Sequence, residues 1–259
     1  ITIRNFTVDM NGYNNLVPAG TLKACYVLRT EGSDNISVRE MFLRDTPGRN
    51  YVVFSGGTGN TVQANMLLNG GTALPTNVNQ TDFSAIYLDS ANTICEQNII
   101  RNETFPFDGS GGVELHAPGT VCQKNYIEKS YPAAYIVVDG WETSDDMTFQ
   151  YNRAVQCLQG VSVGGYYQSG SGAQHPILSN IKIKDNYFSL IQFIANSHLS
   201  GVYSYAVNMS FGGSSGVYVD VHVVNAEITG NTLDNLDTSS TTPRCSFISF
   251  GGFQNATLS

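Results

Sequence analysis

MTFQYNRA at 147–154, IKIKDNYF at 181–188 and AEITGNTL at 226–233 are three copies of one phrase, apolar-x-apolar-x-x-Asn-x-apolar. Weaker copies run NTVQANML at 60–67, TICEQNII at 93–100 and TVCQKNYI at 120–127, which puts Asn65, Asn98, Asn125, Asn152, Asn186 and Asn231 in one slot. ITIRNFTV at 1–8 and ISVREMFL at 36–43 keep the apolar positions but carry Phe6 and Met41 there. Asparagine is less than a tenth of the chain, so six asparagines in eight aligned slots mark a repeat rather than a coincidence. Repeats of this length are stacked units, none of which buries its apolar face alone.

Within each phrase the apolar residues alternate, which is the signature of a strand with one buried face. The asparagine comes where alternation breaks, and so where the chain bends. There its amide can bond the asparagines above and below. A second alternating strand follows each phrase: ACYVL at 24–28, YVVF at 51–54, AIYL at 85–88, GVEL at 112–115, AYIVV at 134–138 and GVSV at 160–163. Phrase starts lie 24 to 45 residues apart. The shorter intervals suit a three-sided coil, and the longer ones imply insertions at corners. The expected fold is all-β: a right-handed parallel β-helix of about eight coils with an Asn ladder. At ~4.8 Å per coil the rod is roughly 35–40 Å long. The segment 190–224 holds several strand-like runs and reads either as a large insertion or as one more coil.

No composition break or Pro-rich linker divides the 259 residues, so residues 1–259 read as a single domain. The chain starts inside a repeat and shows no leader, so a fragment of a longer protein is expected. Charged residues are 13% and glycines number 26, the texture of short strands joined by polar turns. A net charge of −8 makes nucleic acid a poor partner. No apolar run approaches the ~20 residues that a membrane helix needs. Five cysteines leave at least one without an intrachain partner. Cys95 and Cys122 share an inward slot in successive phrases and read as buried thiols. No CxxC is present to suggest zinc or redox chemistry.

With its opening ITIRNFTVDMNG and its Asn-bearing coils, the chain resembles the pectate-lyase-like β-helix superfamily. The GHG and RIK signatures of its polygalacturonases are absent. The Asn-, Ser- and Gly-rich texture with uneven coils is most similar to bacteriophage tailspike depolymerases. That resemblance implies polysaccharide as partner, a homotrimer, and a place outside the cell or on the virion.

Matching the second strands by their inward residues sets Ile86 and Leu88 beside Val113 and Leu115, then Ile136 and Val138, then Val161 and Val163. In that register Asp89, His116 and Asp139 form a column on one outer face. Glu114 lies two residues before His116, between Tyr87 and Val137. Glu114 and Asp139 would then sit roughly 8 Å apart, with Asp89 about equally far on the other side. That spacing suits inverting glycosidases, whose carboxylates stand ~6.5–9.5 Å apart. Glu114 is expected to be the acid, because aromatic and aliphatic neighbours favour its neutral form. Asp139 is the expected base, Asp89 its alternate, and His116 an orienting group. Trp141, Tyr87, Tyr166 and Tyr167 are expected to stack on sugar faces. The insertions at 69–82 and 164–176 could wall a groove. No metal site or cofactor is indicated, although a lyase could hold Ca2+ between Asp89 and Asp139. The column carries no Arg or Lys to act as a lyase base. Capping of turns by Asp89 and Asp139, in a rod that binds glycan or only spaces, is the other reading.

Overall fold

In a computed structural model of the chain, residues 1–12, 14, 26–47, 50–70, 83–102, 110–130, 132–139, 144–166, 177–190, 204–209, 222–235, 245–250 and 253–259 are described. They form strands without a helix. Three parallel sheets run the length of the molecule, and the chain visits them in turn, which is the right-handed parallel β-helix expected from the repeat. The first half of each phrase supplies the first sheet. The residues after the asparagine supply the second sheet, and the second alternating strand supplies the third.

Each sheet sends one side of its alternation inward. In the first sheet Val38, Val62, Cys95, Cys122, Phe149 and Ile183 pair in sequence across successive coils and are fully buried. In the second, Leu43, Leu67, Ile100, Ile127, Ala154 and Phe188 do the same. The third contributes Val52, Ile86, Val113, Ala134, Val161 and Val207. No single coil could enclose these side chains, so the core exists only through stacking. Within the ambiguous segment, the described residues 204–209 form a strand. Ser204–Met209 pairs with Val161–Tyr166 on one side and with Cys245–Phe250 on the other, extending the third sheet.

The corner between the first and second sheets is the most regular. Its turning residue is left-handed in every coil: Asn5, Glu40, Ala64, Gln97, Lys124, Tyr151, Asp185 and Gly230, with φ between 53° and 64°. Seven of these are not glycine, a conformation that costs roughly 1–2 kcal/mol each. The next residue offsets that cost. The Asn65 Oδ1 accepts the Met41 N–H at 3.0 Å, and the amide of each ladder asparagine donates to the Oδ1 of the next through Asn98, Asn125, Asn152, Asn186 and Asn231. Each amide also donates to the backbone carbonyl of an inward residue one coil back, such as Cys95 O from Asn125 at 3.0 Å. All six expected asparagines therefore stand in one line.

Two shorter polar columns were not foreseen. At the entry to the first sheet, Asn60 accepts from the Ile36 N–H and donates to Ser90 Oγ at 2.7 Å. Thr93 and Thr120 bond carbonyls three residues back at the same corner. Between the second and third sheets, Asn69 donates to Asp45, and the Asn102 Oδ1 accepts the Gly70 N–H.

Cys95 and Cys122 are register partners, fully buried and free of any disulfide, as is Cys157. Burial pushes the Cys157 thiol up to about 12. Cys122 is raised well above its ordinary value by burial first, and then by Cys95 beside it. In the unfolded chain these thiols ionise near the ordinary 9.0. Above that pH the folded state holds more protons than the unfolded state, so stability falls as pH rises toward the folded values. The unfolding free energy from urea titrations should drop by about 1.4 kcal/mol per pH unit for each such thiol. Cys157→Ala should flatten that slope, and an unchanged slope would place the thiol in water. Maleimide should label none of the three until the protein unfolds.

Candidate functional site

The third sheet turns one face outward, and its register decides which groups meet there. Val113 and Leu115 pair with Ile86 and Leu88, as the sequence alignment had it. The next step differs by two residues: Val113 pairs with Ala134 and Leu115 with Ile136. The alignment matched branched residues to one another, whereas the inward slot beside Val113 holds a small residue. Gly112 shows why: its neighbourhood is closed by the Ala133 carbonyl and an Ile127 methyl, which a Cβ would meet at 2.4 and 2.8 Å. The strand starts inward with Ala134, just after Ala133, and both are fully buried.

The outer rows change accordingly. Glu114 stands between Tyr87 in the coil before and Tyr135 in the coil after, not beside Val137. His116 continues the strand, its N–H donating to Leu88 O at 2.9 Å, so it lies next to Asp89. Asp139 lies four residues beyond Tyr135 and pairs with Tyr166. Its backbone is thus roughly 14 Å from that of Glu114, at ~4.8 Å per coil and ~3.3 Å per residue. The register therefore sets Asp139 farther from Glu114 than the roughly 8 Å that the sequence alignment gave. Asp89 keeps its place, one coil and two residues away, at roughly 8 Å.

The centre of the face is a carboxylate–imidazole pair. His116 Nε2 and Glu114 Oε2 are 3.0 Å apart. Their side chains are 6% and 9% exposed. The ring of Tyr87 packs on His116 with centroids 4.4 Å apart and planes inclined by 32°. Burying a carboxylate on the solvent side of a sheet is costly unless a hydrogen-bonding partner is supplied, and His116 supplies one. Asp89 is half-buried beside them. The sequence alone missed Tyr135, because the shifted register hid it from Glu114.

The side chains of Asp139 and Tyr166, and the whole of Trp141 and Tyr167, lie outside the described residues, as do most of the two insertions. Among the described residues no cluster of three or more His, Cys, Asp and Glu could hold a metal, and no helix is long and apolar enough to cross a membrane. Elsewhere, a shallow groove at the first corner is lined by Phe6, Phe42, Met66 and Ile99.

No family model matches the sequence, and no curated protein does. Solved structures do match. The tailspike protein of Escherichia coli bacteriophage HK620, in complex with a pentasaccharide, superposes with a TM-score of 0.57 at 15% identity, covering 89% of this chain and 42% of the tailspike. A glutamate-to-alanine variant of the same tailspike with pentasaccharide gives 0.59 at 14% identity, covering 93% and 43%. An aspartate-to-asparagine variant gives 0.57 at 14%, covering 89% and 44%. The fold is that of a phage tailspike β-helix. This tailspike-like helix spans less than half the length of the tailspike chains it matches.

Proposed function

We propose that the chain is the glycan-cutting part of a tailspike-type depolymerase that hydrolyses a bacterial surface polysaccharide, with Glu114 as proton donor and Asp89 as base. The observation that carries this reading is the buried Glu114–His116 pair on an outward face, at 3.0 Å, with a second carboxylate one coil away. The matched tailspikes support a glycan as the ligand, since the molecule bound to them is a pentasaccharide. In this scheme His116 holds Oε2 of Glu114. The Glu114 proton passes to the glycosidic oxygen as its bond to the anomeric carbon breaks. Asp89 takes a proton from the water whose oxygen bonds that carbon. No cofactor enters.

The span of roughly 8 Å between the Asp89 and Glu114 backbones favours inversion. The tilt of Glu114 toward His116 decides how much of that span the side chains close. The first-formed anomer, followed by NMR, reads it: inversion is expected, whereas retention means that the carboxyl groups approach to ~5–5.5 Å. Unsaturated product ends would make the enzyme a lyase instead. Asp89→Asn should lower turnover by at least ~10²-fold, while Asp139→Asn leaves it within a factor of a few. The reverse pattern would return the base to Asp139.

Assembly as a homotrimer on a phage tail belongs to the same proposal. The exposed Phe6, Met66 and Ile99 support it, as apolar side chains that a partner chain would cover. Sedimentation of the purified chain tests it. One observation favours a second reading: Glu114 is only 7% exposed. A carboxylate so enclosed can be a structural tie in a rod that binds glycan without cutting. In that case no polysaccharide yields new ends.

A further inference from the structure

We propose that Tyr135 is a sugar-contacting, specificity-setting residue of the Glu114 face, and that Gly111 is bare in order to seat its ring. The proposal rests on the glycan-cutting reading above. Tyr87 and Tyr135 are the two register neighbours of Glu114, one in each adjacent coil. Their rings are committed differently. Tyr87 packs on His116, so it serves to position the acid–imidazole pair. Tyr135 leans the other way along the strand. A Cβ at Gly111 would lie 3.0 Å from both Cδ2 and Cε2 of Tyr135, and 3.5 Å from Ser84 Cβ. Gly111 does not have a positive φ, so crowding by the ring, which would have to shift by a few tenths of an ångström to admit a Cβ, and not the backbone, favours glycine there.

Glycine within a strand weakens it and gives no side chain to pack. Here it lets an aromatic ring settle close to the sheet beside the buried carboxylate, while Tyr135 as a whole remains half-buried. Covering a bare glycine is by itself a structural use of an aromatic residue. The position next to Glu114 gives the ring a second use, as a platform for the C–H face of a pyranose beside the scissile bond. The sugar proposed for this position is uncharged, because Glu114 and Asp89 set two carboxyl groups beside it. Along the row that holds Glu114 the nearest described cation is Arg29, three coils away and already paired with Glu31 at 2.6 Å.

The test uses native electrophoresis in gels that contain purified bacterial O-polysaccharides, some neutral and some rich in uronate. Glu114→Gln serves as the parent, so that nothing is cut. A neutral polysaccharide should retard the parent. Adding Tyr135→Phe should keep that retardation, and adding Tyr135→Ala or Tyr135→Leu should weaken it by about tenfold in apparent affinity. Tyr135→Leu still covers Gly111, so it separates the lost sugar platform from a lost packing contact if the alanine variant folds poorly. Gly111→Ala should displace the ring and weaken binding as Tyr135→Leu does. In the wild-type background the leucine variant should raise KM and leave kcat within about twofold. Undiminished retardation of the Tyr135→Leu variant overturns the proposal while leaving the Glu114 reading intact. Retardation by uronate-rich polymers alone overturns the assignment of an uncharged sugar. A parent retarded by no polysaccharide overturns the glycan reading and this proposal with it.

Discussion

Replacing Glu114 by glutamine should lower turnover of a polysaccharide that the wild-type chain cleaves by at least ~10²-fold, with binding retained. Glutamine keeps the shape of the side chain and its contact with His116, which is 3.0 Å away in the wild type. What it lacks is a transferable proton. Expelling an alkoxide without that proton is the step that slows, so kcat falls and affinity does not. His116→Ala should cost less, because it frees the carboxyl without removing it, and its effect should vary with pH where that of Glu114→Gln does not. Counting new reducing ends against time for the three proteins settles the matter. A Glu114→Gln protein that cuts at the wild-type rate places the chemistry on another face or between subunits. Glu114–His116 would then be a tie that compensates burial and nothing more.

The repeat was legible because its signal is redundant. Eight phrases point to the same slot, and a hydrogen-bonded column tolerates no second residue type where both its donor and its acceptor are used. Cys95 and Cys122 were legible for the same reason, as inward residues of adjacent phrases. The register of the third sheet carried far less information. Its inward positions accept Val, Ile, Leu or Ala, so sequence alone could not distinguish Ile136 from Ala134 as the partner of Val113. A two-residue slip preserves which face each side chain occupies and changes only its neighbours. Hence Glu114 was given the wrong register neighbour, Val137 where Tyr135 stands. The same slip concealed Tyr135. The polar columns at the other two corners are built from Asn, Ser, Thr and Asp in changing order, with no fixed phrase to find.

Asn125→Ala should destabilise the fold by about 3 kcal/mol, the largest stability effect expected of a single ladder substitution. Asn125 is the third of the six ladder asparagines in chain order and has a ladder neighbour on each side. Its Oδ1 accepts two donors, the Asn98 N–H at 2.9 Å and the Asn98 amide at 3.0 Å. Its own amide donates to Cys95 O and to Asn152 Oδ1, each at 3.0 Å. Alanine removes these bonds, and a weaker one to Cys122 Sγ, at a residue that is 2% exposed, where water does not replace them. The Asn98 N–H and the Cys95 carbonyl bear most of the loss, because the Asn98 amide keeps Val62 O and Asn152 Oδ1 keeps the Asn125 N–H. The left-handed turn at Lys124 loses its support at the same time. Asn231→Ala, at the last rung and with no further asparagine to receive its amide, should cost less. Asn125→Asp should be no better than alanine, since it keeps an acceptor, loses the donor to Cys95 O and buries a charge. Urea unfolding of the three variants measures the order. Equal midpoints for Asn125→Ala and wild type would mean that the ladder follows from the coil and does not hold it.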